Sequence, residues 1–247
     1  MRVSVRVAAK SLLLLLLPPA LPACGAASSP YVTIVGVLKP GSTLAVQLES
    51  GTFNAYQPVA GQHRDLFTIS ATALPKMTPP PAPQLHPAPL GLVVRTKGTL
   101  SSLLVRVPDR VDLVVESARG DVNVTDITGN VRAVARRGNV DIKVPGYAQA
   151  AVGSGNLSVM MGATSWPGTL AFSTRHGDVE LWIVARAAFD VHLHTDSGTL
   201  FTDFGLRGVS NGASETIDGS VNGGSSQRID VEVASGSIRL LRLQPQP

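Results

Sequence analysis

The sequence predicts an all-β chain whose larger part is a β-solenoid of short, glycine-punctuated strands, preceded by a small N-terminal β unit. Three observations carry the prediction. First, one phrase recurs from residue 120 onward: Gly, a small polar residue, an apolar residue, a variable one and often a second apolar one. Its copies are Gly120-Asp-Val-Asn-Val124, Gly138-Asn-Val-Asp-Ile142, Gly155-Asn-Leu-Ser-Val159, Gly177-Asp-Val-Glu-Leu181, Gly198-Thr-Leu200, Gly219-Ser-Val221 and Gly236-Ser-Ile-Arg-Leu240. Second, the leading glycines are 18, 17, 22, 21, 21 and 17 residues apart, with intermediate copies at Gly129 and Gly168, so many turns hold two strands. Third, only 4% of the residues are aromatic, which suits a narrow column packed by Val, Ile, Leu and Ala.

Within each phrase the alternation puts Val122 with Val124, Val140 with Ile142, Leu157 with Val159 and Val179 with Leu181 on one strand face. One such strand cannot bury its apolar side alone. Stacked turns bury it by lining these positions up as ladders, leaving Asn123, Asp141, Ser158 and Glu180 outward. The leading glycine is expected at a tight corner, with the next Asp, Asn, Ser or Thr bonding back to the local backbone. A Greek-key sandwich also shows short alternating strands, but it does not require one phrase in phase.

The elements follow in chain order. Residues 1–23 read as an export signal: Arg2, Arg6 and Lys10 precede the apolar run Leu12 to Leu17, which Pro18 and Pro19 end. The run is too short to span a membrane. Leu21-Pro22-Ala23-Cys24 resembles the bacterial lipobox, with Pro22 as its departure, and Cys24 is the one cysteine of the chain. An exported lone cysteine has no disulfide partner within the chain, and lipidation gives it a use. Residues 24–29 are then a small-residue tether.

Residues 30–74 carry short β-like runs, Val32 to Val37, Leu44 to Leu48 and Leu66 to Ala71, and form the N-terminal β unit. Between 75 and 89 stand seven prolines, at 75, 79, 80, 81, 83, 87 and 89, which read as an extended loop or linker. The solenoid is expected over 90–243, beginning with Leu90 to Arg95 and Leu100 to Val107, and 244–247 is a tail. The β unit and the tail are available as end caps.

The passage Leu104 to Pro108, the run Val111 to Val122, the repeated Gly-Asp/Asn/Ser phrases and the closing Ala234 to Leu240 together resemble the bacterial DUF4097 family, adhesin-like proteins, over roughly residues 90–241. The resemblance implies the solenoid fold and an adhesin-like role. It brings no catalytic residues.

Composition narrows the function. Without Arg2, Arg6 and Lys10 the 21 basic residues fall to 18 against 17 acidic ones, too balanced for a nucleic-acid partner. His192, His194 and Asp196 alternate onto one strand face and are the metal-ligand candidates, although the pattern is equally that of polar residues facing water while Val191 and Leu193 face the core. Arg119, Arg132, Arg136, Arg137 and Lys143 are close enough in sequence to form a basic strip for acidic glycans or lipid headgroups, or a solvated face paired with Asp121 and Asp141. There is no His-Glu-x-x-His helix and no phosphate-binding loop. Neither a catalytic set nor a cofactor is expected.

The function expected is a non-enzymatic lipoprotein of the cell envelope, held to the membrane through Cys24 and binding an envelope protein or glycan, with end-to-end self-association available through its strand edges. A ligand-sensing accessory of envelope stress signalling and a glycan-acting β-helix enzyme are the alternatives.

Overall fold

The structure is a computed structural model that describes residues 31–57, 65–74 and 80–244. The expected signal, Cys24 and the tether lie outside the described residues, as does most of the tail. The described chain contains strands and no helix. They are β1 (Tyr31–Val37), β2 (Thr43–Tyr56), β3 (Leu66–Thr72), β4 (Gln84–Ala88), β5 (Gly91–Arg106), β6 (Asp112–Ser117) and β7 (Val122–Thr125). Next come β8 (Val131–Arg137), β9 (Val140–Val144), β10 (Ala148–Ser154), β11 (Leu157–Met161), β12 (Thr169–His176) and β13 (Val179–Val184). The chain closes with β14 (Phe189–Thr195), β15 (Leu200–Thr202), β16 (Val209–Asn211), β17 (Ser214–Val221), β18 (Arg228–Ser235) and β19 (Ile238–Leu243).

Parallel pairing stacks these strands into tiers with two walls. Wall A runs β5, β2, β6, β8, β10, β12, β18, β14. Wall B runs through the second halves of β5 and β2, then β7, β9, β11, β13, β19 and β15. Inward ladders fill the space between. In wall A, Val46, Val115, Ala133, Ala150, Phe172, Val231 and Leu193 are in register; in wall B, Phe53, Val122, Val140, Leu157, Val179 and Ile238 are, and all of these are buried. The β-solenoid is thus the fold, built on the alternation that the repeats display.

The tier order departs from sequence order at both ends. β18 and β19, the last strands of the chain, lie between the β12–β13 tier and the β14–β15 tier. β2 likewise lies between β5 and the β6–β7 tier. The segment expected as a separate N-terminal unit therefore contributes a tier to the column itself. Within the proline-rich stretch, β4 forms a strand antiparallel to β5, with Pro87 on it.

Antiparallel strands close both ends. β3 and β4 cover the two halves of β5, and β1 extends β3; at the other end β17 covers β14 and β16 extends β17. Gly219, expected at a corner, is instead inside β17, with Leu206 packed over it. Beneath that end Trp166, Phe189 and Phe204 form an aromatic cluster, with ring centroids 5.6 and 5.7 Å apart in successive pairs.

The corner between the walls explains the repeated phrase. Gly120 has φ +118° and Gly138 has φ +128°, and a Cβ on either would lie 2.1 and 2.3 Å from the carbonyl oxygen of Gly51 and Gly120 respectively. Backbone packs on backbone here, so any side chain collides. The sequence predicts that the next residue bonds to the local backbone; instead it bonds to the neighbouring tier. Asp121 Oδ1 accepts the Asn139 amide at 2.7 Å, Asn139 that of Asn156 at 2.9 Å, Asn156 that of Asp178 at 3.0 Å, and Asp178 that of Ser237 at 2.8 Å. Gly-Asp or Gly-Asn is thus a two-part device: the first residue lets tiers touch and the second ties them.

Candidate functional site

Because the interior is packed, chemistry is left to the outward faces, and wall A carries the richer one. Its outward positions form ladders that run along the column. One reads Gln47, Glu116, Val134, Ala151, Ser173, Glu232, His194 and Thr216 from β2 to β17. The neighbouring one follows from the same register and holds Ala118, Arg136, Gly153, Arg175, Ala234 and Asp196, each two residues before a corner glycine.

At the two ends of this face the polar groups are engaged with one another. Arg95 Nε donates to Gln47 Oε1 at 2.7 Å, and Gln47 Nε2 to Glu116 Oε2 at 3.1 Å. At the other end His192 Nδ1 donates to Asp218 Oδ1 at 2.7 Å, and His194 Nε2 to Asp196 Oδ1 at 3.1 Å, while His194 Nδ1 lies 2.9 Å from Thr216 Oγ1. The two imidazoles are parallel, 7° apart in plane and 6.4 Å between centroids. The middle of the face is different. Ala151, Gly153, Ser173 and Ala234 carry little or no side chain, and with Arg136, Arg175, His194, Asp196 and Glu232 around them they leave an open groove of about 770 Å³.

The residues singled out from the sequence are distributed as follows. His192, His194 and Asp196 do share the outward face, but β17 supplies Asp218 and Thr216, which tie each ring separately. Among the described residues no group of three His, Cys, Asp or Glu is arranged to hold a metal. The five basic residues do not make one strip. Arg119 and Arg137 stand at the corner, where their carbonyls accept the amides of Gly51 and Gly120; Arg132 and Arg136 lie on wall A; Lys143 lies on wall B, 3.3 Å from Asp141. The expected pairing to Asp121 is absent among the described residues, where Arg119, Arg132, Arg136 and Arg137 have no carboxylate within 4.0 Å. Sequence reasoning missed Arg175. Counting back two residues from Gly138, Gly155 and Gly177 finds it, since that count aligns Arg136, Gly153 and Arg175.

Next to the same corner a buried ladder carries hydroxyls. Thr174 Oγ1 donates to the Gly155 carbonyl at 3.3 Å and Thr195 Oγ1 to that of Gly236 at 2.9 Å. These side chains are satisfied by the stack itself and belong to its architecture.

The family description Toastrack DUF4097 matches residues 109–241, more than half of the chain. The chain belongs to this family. The matched span begins just before β6 and reaches β19, so the Toastrack domain includes the out-of-order β18–β19 tier, while β1 to β5 build onto its end. Similar solved structures are a candidate cell adhesion protein from Clostridium sporogenes (10% identity, 86% of this chain and 100% of that one, TM-score 0.48) and a candidate adhesin from Bacteroides fragilis (10% identity, 87% and 98%, TM-score 0.33). A candidate adhesin from Parabacteroides merdae is similar at 7% identity, over 87% and 96% of the two chains, with a TM-score of 0.28. No functionally curated protein matches this chain.

Proposed function

We propose that this Toastrack protein is a non-enzymatic binding component of the bacterial cell envelope, tethered through lipidated Cys24, that recognises an envelope component with the outward face of wall A. The observation that carries the reading is the open groove between Arg136 and Glu232, in which two guanidiniums stand over a floor of small residues with no carboxylate within 4.0 Å among the described residues. Along the same ladders, Gln47 with Glu116 and His194 with Asp196 are bonded to one another. A surface that holds free guanidiniums over a floor of small residues is suited to capturing a ligand. The test is binding of the full chain to isolated envelope material beside an Ala151→Trp variant, whose outward indole fills the groove. Loss of binding with an unchanged melting curve is expected, and unchanged binding contradicts the reading. Detergent partitioning and intact mass beside Cys24→Ala test the anchor: the wild type is expected to be acylated and to follow the detergent phase, and an unmodified wild type contradicts the tether.

A second reading, assembly with a second copy of the chain, rests on β1. Among the described residues its partner is β3 alone, so its other edge is open, and Tyr31, Val35 and Val37 are 58%, 52% and 64% exposed. The strand holds neither charge nor proline, the features that commonly block an edge.

A further inference from the structure

The Arg136, Gly153, Arg175 row is arranged for one kind of group. Tiers in a β stack are about 4.8 Å apart, so the two arginine Cα atoms stand about 10 Å apart and straddle the bare backbone of Gly153. Glycine is required there: a Cβ would lie 2.5 Å from the carbonyl oxygen of Arg136. In the row the immediate neighbours of Arg136 are Ala118 and Gly153, and those of Arg175 are Gly153 and Ala234, none of which can accept a hydrogen bond through a side chain. Both guanidiniums are exposed, both line the groove, and neither has a carboxylate within 4.0 Å among the described residues. Planar guanidiniums match carboxylate and phosphate oxygens in forked pairs.

The groove also carries acidic groups at one end. Beyond Arg175 lie the carboxylates of Glu232 and Asp196, acceptors suited to hydroxyl groups and repellent to a further anion. A polyanion with a charge at every step, such as a nucleic acid, would run its charges into these carboxylates. A chain of hydroxyl-rich units with a spaced anionic group would not.

Building on the proposed function, we infer that the row binds the anionic oxygen group of an envelope glycopolymer, with sugar or polyol hydroxyls lying toward Glu232 and Asp196. The group is a carboxylate or a phosphodiester, which share this chemistry, and the test separates them.

The full chain is titrated calorimetrically with hyaluronan oligomers, which carry a carboxylate on alternate sugars, with a phosphoglycan oligomer that carries one phosphodiester per disaccharide, and with neutral dextran oligomers. One anionic probe is expected to bind, the probe that does so naming the source, and dextran is not. Arg136→Ala and Arg175→Ala each weaken that binding about tenfold or more, as loss of one charge-assisted pair predicts. Arg136→Lys restores part of it, and Arg239→Ala on wall B leaves it unchanged. Binding of neither anion, equal binding of dextran, or anion binding that survives both alanine variants with unchanged melting curves overturns the inference. The failure is separable from that of the wider reading. If Ala151→Trp abolishes envelope binding but the arginine variants do not, the groove is a binding site for another chemistry; if none of them matters, both statements fall.

Discussion

At the residue scale the fold rests on pairs of adjacent positions with different tasks. The corner glycines remove the one atom that would keep tiers apart, and the Asp or Asn that follows supplies the acceptor that joins them. Substitution separates steric need from conformational need. Gly138→Ala places a Cβ 2.3 Å from the Gly120 carbonyl, whereas Gly168, also at positive φ (+63°), has open space around it. Urea unfolding is expected to show a loss of about 3 kcal/mol or more for Gly138→Ala and about 1 kcal/mol for Gly168→Ala, since the first pays a backbone collision on top of left-handed strain. Equal losses would mean that the corner has room. The same positions show what was legible in advance. Glycine spacing and apolar alternation identified the corners and inward ladders because these depend on local pattern. The direction of the Asp and Asn bonds was not legible, because a local turn and a cross-tier ladder use the same residue types.

At the scale of elements the two ends differ in how they stop. β4 carries Pro87 and β16 has three residues, so each offers little to a further strand, while β1 presents seven residues with an apolar outward row. A β1-to-β1 pair about a two-fold axis would be antiparallel and self-complementary. Sedimentation at increasing concentration is expected to show dimers for the wild type and monomers for Val35→Lys, whose charge lies at the exposed centre of the strand. A wild-type monomer at all concentrations contradicts the second reading. The displaced elements were the illegible part of the fold. β2 and β18 show the same alternation as the strands they separate, and nothing within Thr43–Leu48 or Arg228–Ser235 records which neighbours they take. That choice is made by long-range closure: the caps built from β3, β4, β16 and β17 occupy the ends, and the remaining strands fill the gaps inside.

At the scale of the whole molecule, this interleaving ties site to fold. Arg136 and Arg175 come from the repeats on either side of the one that holds Gly153, but Glu232 and Ala234 reach the groove only because β18 enters between β12 and β14. The basic residues seen from the sequence gave half of the site, since Arg136 was among them; the other half needed the register that aligns Arg175 across Gly153. The groove therefore depends on the tier order. Its most direct test uses pairs of cysteines on wall B, in a chain with Cys24 replaced by Ala, and a thiol reagent that spans one tier. Glu180 faces Arg239 and Phe201 faces Arg239 in register, so Glu180→Cys with Arg239→Cys, and Phe201→Cys with Arg239→Cys, are expected to cross-link within one chain. Glu180→Cys with Phe201→Cys, two tiers or about 10 Å apart, is expected not to. Efficient cross-linking of that last pair, with none between positions 180 and 239, would mean that the repeats stack in sequence order, and would contradict both the fold and the groove built upon it.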